Sequence, residues 1–347
     1  MNFWQTLPHG FTVLAPMEGV TDVVFRAVIK KAGTPDVFFT EFTNVSSFSS
    51  EKGRHDALER LDLEIASDSK TTTTINSANR APNSTPVVAQ IWGKNPEHFA
   101  NISSALQNLG FSGLDINMGC PDRHVNKAGG GAAMIKTPEL ALECIKQAKN
   151  HTTLPVSVKT RLGFTKIEEY QTWIPLLLEQ NLAALTVHLR TRKEMSKVPA
   201  HYELIPEIIK FRNAISPRTA LVINGDIDDL AATKALSEQY PEVDGFMIGR
   251  GVFKNPYCFT NYQPSREDLI NLFLYHLDLF DQRAAELSTR PINPADPKSP
   301  ASRYPYEPLK HFFKIYINSF PGATDLRAKL MQCQNTSELR SVIKANI

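Results

Sequence analysis

The stretch Gly113-Leu-Asp-Ile-Asn-Met-Gly-Cys-Pro121, followed by Val125-Asn-Lys-Ala-Gly-Gly-Gly131, carries the clearest structural signal in the chain. Its first residues are mainly apolar and bounded by turn formers, which predicts a short buried strand ending at Asn117. Pro121 cannot continue a strand or a helix, so Cys120 is predicted to lie on a sharp turn at the carboxyl end of that strand. The glycines that follow let the loop move or let its backbone approach a ligand.

A thiol in this position has two interpretations. Cys120 can exchange a proton with a substrate or attack an electrophile, or it can be an ordinary core residue, since free cysteine is often buried. The rest of the chain favours the first interpretation, because polar residues stand at the same end of nearly every predicted strand.

Eight short apolar runs of this kind occur, and helix-length stretches separate most of them. They are rich in Val, Ile, Phe or Thr and mostly apolar on both faces, as in strands covered by helices. They lie at residues 11–17, 37–42, 86–92, 113–119, 155–162, 184–190, 220–227 and 245–251. Eight alternating strands and helices predict an α/β fold, a (β/α)8 TIM barrel at residues 1–258, with a doubly wound open sheet as the competing architecture.

Apolar residues at helical spacing fill the intervals and predict six helices. These lie at residues 21–31, 96–109, 137–149, 167–179, 202–211 and 228–239. Thr21 and Asp22 are a predicted cap of the first, and Thr137 with Pro138 marks the start of the third. Residues 67–84 break the rhythm, since they are polar and rich in Thr, Ser and Asn, and we predict an exposed insertion there.

The chain after residue 258 changes its organisation and predicts a small helical domain at residues 259–347. Helical stretches at 266–288, 309–319 and 324–344 accompany a proline-rich linker at 290–308. From Arg303 onward there are seven basic residues and three acidic ones, a net charge of +4. That surplus is either a solvated surface or a phosphate-binding face.

Composition narrows the class of protein. The 347 residues are 42% hydrophobic and 21% charged, which is ordinary for a globular chain, and the net charge of +2 argues neither for nor against nucleic acid. The four cysteines lack the spacing of a zinc site or a disulfide framework. No apolar run is long enough to span a membrane and the N-terminus lacks the features of a signal peptide, so we expect a cytoplasmic protein.

Residues at the strand ends suit a flat ligand that carries a phosphate. Many barrels bind phosphate at glycine turns after strands seven and eight, where Gly225 and Gly249-Arg250-Gly251 stand here. Lys159 is a charge inside an apolar strand, either paired with an acid or held as a cation beside an electron-accepting ring. Gln90 suits hydrogen bonds to a planar heterocycle, and His188 is either a satisfied core histidine or a binding residue. Together with a thiol acid, these features describe a flavin mononucleotide barrel.

At these residues the chain resembles the tRNA-dihydrouridine synthase family. The matching stretches occur in the family's order and cover residues 11–258, whereas the C-terminal helices match only in size and placement. The stretches are Ala15-Pro-Met-Glu-Gly-Val-Thr-Asp22, Asp115-Ile-Asn-Met-Gly-Cys-Pro121, Gly129-Gly-Gly-Ala132, Val156-Ser-Val-Lys159, Asn224-Gly-Asp226 and Ile248-Gly-Arg-Gly251.

The resemblance implies FMN as cofactor, NADPH as reductant, and reduction of the C5–C6 double bond of a uridine in tRNA. It implies that Cys120 protonates C5 while reduced flavin delivers hydride to C6, and that Asn117 helps to hold the uracil. The implied flavin-binding residues are Pro16, Met17, Glu18, Gln90 and Lys159 at the ring, and His188, Asn224, Gly225, Asp226, Gly249 and Arg250 at the phosphate end. We expect Arg190, Arg192 and the basic C-terminal helices to grip tRNA phosphates while the target base leaves its stack.

Two residues depart from the common pattern of the family. Glu18 stands where many members have Ala, and an acid there resembles the bacterial subgroup that acts at position 16 of tRNA. Leu189 stands where many members have Gly, and its larger side chain affects the local contact with tRNA and therefore the choice of target position. We expect a monomer that binds neither metal nor membrane. Two other functions stay open, a flavin barrel that reduces a free pyrimidine, like a dihydroorotate dehydrogenase, and a catalytically silent RNA-binding barrel.

Overall fold

Eight parallel strands form a closed barrel in the computed structural model, which describes residues 2–65, 84–290, 304–318 and 320–346. The strands are β1 (Phe11–Leu14), β2 (Phe38–Asn44), β3 (Val87–Trp92), β4 (Gly113–Met118), β5 (Val156–Arg161), β6 (Ala184–His188), β7 (Ala220–Asn224) and β8 (Gly245–Ile248). Each strand from β2 to β7 pairs with the strand that follows it in sequence, and β8 pairs with β1. A bridge between Val13 and Val37 joins β1 to the residue that precedes β2 and closes the barrel. The predicted (β/α)8 barrel is confirmed, and the open-sheet alternative is wrong.

Helices surround the barrel and continue after it. Those around the barrel are α1 (Val23–Ala32), α2 (Val45–Ser49), α3 (Glu51–Glu59), α4 (Pro96–Asn108), α5 (Arg123–Lys127), α6 (Pro138–Asn150), α7 (Tyr170–Leu178), α8 (Ile205–Ile215), α9 (Leu230–Gln239) and α10 (Gly251–Lys254). Those that follow are α11 (Arg266–Thr289), α12 (Phe313–Tyr316), α13 (Ala323–Gln332) and α14 (Thr336–Asn346). The predicted cap of α1 is confirmed, since Asp22 accepts the backbone N–H of Phe25 at 2.8 Å.

The stretch predicted as one helix at residues 324–344 is two helices. Cys333 has extended backbone (φ −65°, ψ 145°) and separates α13 from α14. Asn335 accepts the backbone N–H of Glu338 at 2.9 Å through its side-chain oxygen, which is the bond of a helix cap. Because asparagine competes with the backbone for hydrogen bonds, a cap at this point outweighs the apolar spacing that runs through it.

The barrel interior is apolar at one end and polar at the other. Trp4 lies at the amino-terminal ends of the strands, where its ring is 5.8 Å from that of Phe11 and 6.3 Å from that of Phe39. Other buried members of this apolar cluster are Val13, Ala15, Val37, Val88, Ala184, Ala220, Val222 and Met247. Polar side chains take over toward the carboxyl ends of the strands, which we call the barrel mouth.

The C-terminal helices pack against the first helix of the barrel. The ring of Phe25 in α1 lies 6.3 Å from that of His276 in α11 and 5.1 Å from that of Phe312. His276 is buried and its Nδ1 lies 2.8 Å from the hydroxyl of Tyr316. Burial lowers the pKa of His276 to about 3, so this imidazole is neutral and belongs to the interface rather than to any chemistry.

Two sequence predictions fall largely outside the described residues. These are the polar insertion at 67–84, apart from Ser84, and most of the linker at 290–308, together with Arg303. Within the described ranges, none of the helices is both long and apolar enough to cross a membrane. The same residues contain no group of three or more His, Cys, Asp or Glu side chains that could hold a metal ion.

Candidate active site

Cys120 lies on a turn directly after β4, and side-chain hydrogen bonds hold the turn. The Oδ1 atom of Asn117 accepts the backbone N–H groups of Gly119 and Cys120 at 3.1 and 2.9 Å. The Cys120 carbonyl accepts from the N–H of Ala132 at 3.0 Å and from Nδ2 of Asn126 at 2.8 Å. All four cysteines are free, but only Cys120 is not buried. This thiol is therefore the one that a ligand can reach.

The glycine-rich loop packs against the cysteine turn. Gly131 has φ of 58°, and a Cβ atom there would lie 2.9 Å from the Cys120 carbonyl oxygen and 3.1 Å from its Cβ. A side chain at this position would displace the cysteine, so glycine is required by close approach of the two loops. The glycine-rich loop thus packs directly against the cysteine turn, and this contact could not be predicted from the sequence of the loop.

A chain of side-chain hydrogen bonds connects three strands beneath the turn. Asp115 is fully buried and accepts from Oγ of Ser157 and from Nε2 of Gln90, both at 2.7 Å. The Oε1 atom of Gln90 then accepts from Nδ2 of Asn117 at 3.0 Å. Burial raises the pKa of Asp115 to about 6, against the hydrogen bonds from Ser157 and Gln90, which lower it. Each donor in this series of hydrogen bonds faces an acceptor, so the amide orientations of Gln90 and Asn117 are fixed.

Lys159 of β5 is the neighbour of Asn117 in the sheet register. It is partly exposed, and in the described part of the chain its ammonium group has no hydrogen-bond or ion-pair partner. Burial, and next the positive charge of Arg161, lower the pKa of Lys159 to about 8, while Asp115 acts in the opposite direction. The sequence predicts that Lys159 either pairs with an acid or is held as a cation beside an electron-accepting ring. The pair with an acid is not formed among the described residues.

Arg161, two residues further along β5, joins two loops of the barrel mouth. It is buried and donates from Nε to the carbonyl of Gly119 at 2.8 Å. Its Nη1 atom donates to the carbonyls of Thr191 and Met195, both at 3.1 Å. The cysteine turn and the loop after β6 are therefore held together by one guanidinium group.

His188 ends β6 and forms a defined hydrogen-bond pair. Its Nδ1 lies 2.8 Å from Oδ1 of Asn224, and its Nε2 lies 3.3 Å from Nη1 of Arg190. A guanidinium group can only donate, so Nε2 is the acceptor and Nδ1 carries the proton. Burial, and next the charge of Arg161, lower the pKa of His188 well below its ordinary value, so the ring is neutral.

Asp226 follows β7 with φ of 52° and binds two arginines. Its carboxylate accepts from Nη2 of Arg250 at 2.9 Å, from Nη2 of Arg190, and from the backbone N–H of Ala200 at 3.0 Å. Arg190 is only 2% exposed and also donates from Nε to the carbonyl of Val198 at 2.6 Å. The guanidinium nitrogens of Arg190 are all engaged inside the protein. The structure therefore does not support the predicted direct contact of Arg190 with tRNA.

The two glycines predicted to receive a phosphate lie at adjacent strand ends. Gly225 has φ of 125°, a conformation that other residues rarely adopt. Around Gly249, a Cβ atom would meet only Ala15, at 3.5 Å. The backbone at Gly249 therefore has free space on its open side, which a ligand phosphate requires.

The segment after β1 completes the mouth. Glu18 is exposed and forms an ion pair with Arg60 at 2.6 Å, so its carboxylate is directed to the segment after α3. Glu41 of β2 is buried and accepts the backbone N–H of Gly19 at 2.7 Å. Burial raises the pKa of Glu41 to about 7. The other predicted residues of this segment, Pro16 and Met17, are partly exposed.

Arg192 lies on the loop after β6, apart from the predicted flavin residues. Its guanidinium carbon is 5.3 Å from the ring centroid of Phe164, and Nζ of Lys136 is 4.5 Å from the same ring. The backbone N–H of Arg192 donates to the carbonyl of Gly163 at 2.8 Å, which holds the loop beside the phenylalanine.

The structure thus places most predicted site residues at one end of the barrel and adds three residues to which the sequence assigned no role. Asp115, Arg161 and Glu41 are charged residues within apolar strands and are buried. That is the same signal that identified Lys159, and it could have identified them as well.

The arrangement can deliver a proton from Cys120. Burial raises the pKa of its thiol, so the thiol keeps its proton at neutral pH. The positive charges of Lys159 and Arg161 act in the opposite direction and stabilise the thiolate that remains after the proton has left. A protonated thiol with a charge-stabilised conjugate base is suited to act as a general acid.

Comparison with known proteins identifies the family. A family model described as "Dihydrouridine synthase (Dus)" matches residues 13–346. The chain is 46% identical over 344 residues to "Probable tRNA-dihydrouridine synthase 2" of Bacillus subtilis, covering 99% of this chain and 95% of that protein. It is 43% identical to "Probable tRNA-dihydrouridine synthase" of Staphylococcus epidermidis, with the same coverage. The solved structure of morphinone reductase matches with a TM-score of 0.45 and 13% identity over 72% of this chain and 84% of its own. The chain belongs to the dihydrouridine synthase family.

Proposed function

We propose that the chain reduces a uridine of tRNA with FMN as its bound flavin, NADPH as its reductant and Cys120 as its proton donor. As a member of the dihydrouridine synthase family, it is an oxidoreductase that forms dihydrouridine in tRNA. The observation that carries the proposed site is the accessible thiol of Cys120, held by Asn117 beside the ammonium group of Lys159, which has no partner among the residues that the structure describes.

The strand ends at one side of the mouth fit the ring of FMN. A partly buried ammonium without a partner, as at Lys159, is stabilised by a ring that takes up negative charge. Gln90 is fully buried and keeps one amide N–H after its bond to Asp115, so we assign that N–H to an acceptor on a ring packed directly against it. When bound, reduced FMN supplies a hydride to C6 of the uracil.

The other side of the mouth fits the phosphate end. Gly249 provides backbone with open space, Gly225 follows the adjacent strand with φ of 125°, and Arg250 is exposed beside them. Asp226 is already paired with Arg250, so we assign it to holding that arginine rather than to contacting the phosphate, which carries the same charge. His188 and Asn224 form a neutral pair that adds no repulsion.

The substrate side rests on Asn117 and Cys120. Both acceptor positions of Asn117 Oδ1 are taken by the turn, and one Nδ2 hydrogen is taken by Gln90. The remaining N–H can donate to a uracil carbonyl. Cys120 then transfers its proton to C5, and its thiolate regains a proton from solvent before the next turnover.

The helical segment offers two unengaged cations for tRNA phosphates. Lys310 and Arg340 are paired with acids of the same chain, Lys310 with Glu307 and Arg340 with an aspartate pair in α11. Lys314 and Lys344 are exposed and form no ion pair within the described residues. We assign these two lysines, with the helices 259–347 as a second domain, to contacts with the RNA backbone.

We place the protein in the cytoplasm as a monomer. Four free cysteines agree with a reducing compartment. Size-exclusion chromatography with light scattering tests the monomer, for which a mass near 38.8 kDa is expected.

The function is tested with purified protein and tRNA from cells that lack the gene. We expect a yellow protein that releases FMN on denaturation, oxidises NADPH faster than NADH, and forms dihydrouridine detectable by mass spectrometry. Mapping the modified position tests the resemblance of Glu18 to the bacterial subgroup that acts at position 16. Efficient reduction of free uracil or orotate without tRNA would replace this function with that of a free-pyrimidine reductase. Colourless protein that binds tRNA and takes up no FMN would indicate a silent RNA-binding barrel.

A further inference from the structure

We propose that Lys136, Phe164 and Arg192 form a phosphate-binding site for the RNA strand that enters the barrel mouth. We call this group the cation–aromatic site. The proposal rests on the proposed function, because it names the point at which the same active site holds the backbone of its substrate.

The first observation is the arrangement of charge. Lys136 Nζ lies 4.5 Å from the ring centroid of Phe164, and the guanidinium carbon of Arg192 lies 5.3 Å from it. A ring attracts each cation, but the two cations repel one another, and within the described residues neither forms an ion pair with an acid. The carboxylate of Glu169 lies nearby but is engaged by backbone N–H groups, among them that of Phe164 at 2.6 Å. Two cations around one ring that are not paired with this carboxylate are arranged for an anion from outside the protein.

The second observation is an unsatisfied donor. The Nε atom of Arg192 is buried and has no hydrogen-bond partner, whereas buried polar atoms are nearly always paired. The residue itself is partly exposed, so its terminal nitrogens remain accessible beside the buried Nε. A phosphodiester has two oxygens that can accept a pair of parallel N–H bonds from the terminal nitrogens of a guanidinium group, and Nε then remains to be satisfied by a small rotation of the side chain.

The third observation is location. Arg161 donates to the Gly119 carbonyl, one residue before Cys120, and to the carbonyls of Thr191 and Met195 on either side of Arg192. The backbone N–H of Lys193 also donates to the carbonyl of Phe164 at 3.0 Å. The cation–aromatic site is thus fixed to the turn that carries the proton donor, so an anion bound there sits beside the reacting base.

Phosphate could come from the RNA backbone or from NADPH, and the geometry favours RNA. The site lies on the loops after β4, β5 and β6, which include the turn of the proposed proton donor, whereas the glycines proposed for the FMN phosphate follow β7 and β8. A uridine drawn out of a folded tRNA brings its own flanking phosphodiesters to the mouth, and a rigid cation pair there would hold them in register.

The test uses flavin-loaded protein and measures equilibrium binding of tRNA without NADPH, over a range of salt. For Lys136→Met and Arg192→Met we expect about tenfold weaker binding and a salt slope lower by about one per charge removed. Arg192→Lys keeps the charge but loses the planar pair of N–H donors, so binding should weaken while the salt slope stays. Phe164→Leu should weaken binding with no change in charge. Lys234→Met on the outer helix α9 is the matched control and should behave as the unmodified protein.

A second measurement separates the two sources of phosphate. Reduction of the flavin by NADPH, followed by its absorbance in a stopped-flow instrument, should proceed at the same rate and with the same KM in all variants. A raised KM for NADPH with unchanged tRNA binding would move the site to the reductant and overturn the proposal. Unchanged binding of both ligands would overturn it as well. Because binding is measured without turnover, a protein that binds tRNA at this site but forms no dihydrouridine would refute the proposed function alone.

Discussion

Asn117 accepts the backbone N–H of Cys120 at 2.9 Å, so the residue proposed to hold the substrate also holds the turn of the proton donor. The same side chain donates to Gln90 at 3.0 Å, and Gln90 donates in turn to the buried carboxylate of Asp115. Since the direction of each bond follows from its neighbours, the position of the thiol depends on groups that never touch the substrate.

Asn117→Asp separates the two tasks of this residue. The carboxylate keeps an acceptor for the turn but removes the N–H proposed for the uracil carbonyl. The change also removes the N–H that Gln90 Oε1 accepts at 3.0 Å, so we expect the free energy of unfolding to fall by about 1–3 kcal/mol. Flavin content should change little, and kcat/KM for tRNA should fall by about 10- to 100-fold, as for loss of a hydrogen bond and introduction of a repelling charge. Unchanged kcat/KM would show that Asn117 does not contact the base.

Cys120→Ala should uncouple the two halves of the reaction. The flavin should bind and accept electrons from NADPH at the normal rate, whereas reduction of tRNA should slow by at least about 100-fold, the usual contribution of a general acid. Single-turnover oxidation of the reduced flavin by tRNA measures this step directly. Cys258→Ala, which alters a buried cysteine, is the matched control and should leave the step unaffected.

Lys159→Met should weaken FMN binding. Its ammonium group has no partner within the described chain, so a contact with the cofactor is lost without freeing a protein group. We expect the dissociation constant of FMN to rise by about tenfold or more, measured by fluorescence titration of flavin-free protein. The same change at Lys146, an exposed residue of α6, should have no effect. Equal loss in both variants would point to general charge rather than to the site.

Glu41→Gln should change the pH dependence of stability. Burial raises the pKa of Glu41 from 4.5 to about 7, so the folded protein holds this proton more tightly than the unfolded chain. The stabilisation from protonated Glu41 is complete below about pH 4.5 and is lost as the pH rises through about 7. Glutamine mimics the protonated form, so relative to the unmodified protein the variant should gain up to about 3 kcal/mol between pH 5 and pH 8.

Urea denaturation at both pH values measures this difference. Glu139→Gln on the surface of α6 serves as the control and should show no such gain. A constant difference between Glu41→Gln and the unmodified protein across this range would mean that the carboxyl group titrates normally.

The barrel could be predicted from sequence because its strands are continuous apolar runs with turn formers at both ends. The site could be predicted as far as its residues stand at strand ends, as Cys120 and Lys159 do. Arg190 shows where that reasoning stops, since an arginine near a strand end was expected on the surface, but it is buried against Asp226. Its partner is 36 residues away, and no local pattern reveals such a pair.

Arg161 stands at a strand end in the sequence, but its role could not be predicted, for a related reason. Its partners are backbone carbonyls of Gly119, Thr191 and Met195, and a carbonyl leaves no trace in a sequence. The break between α13 and α14 could have been predicted, because Asn335 is a residue type that favours the start of a helix. The regular apolar spacing on both sides of it predicted one continuous helix instead.

The apolar cluster around Trp4 leaves the barrel with a single entrance. Under the proposed function, NADPH and the RNA would both approach the flavin from the mouth, so one would leave before the other arrives. Initial rates measured at several fixed concentrations of NADPH should give parallel lines in double-reciprocal plots against tRNA, and excess of either reactant should inhibit the other competitively.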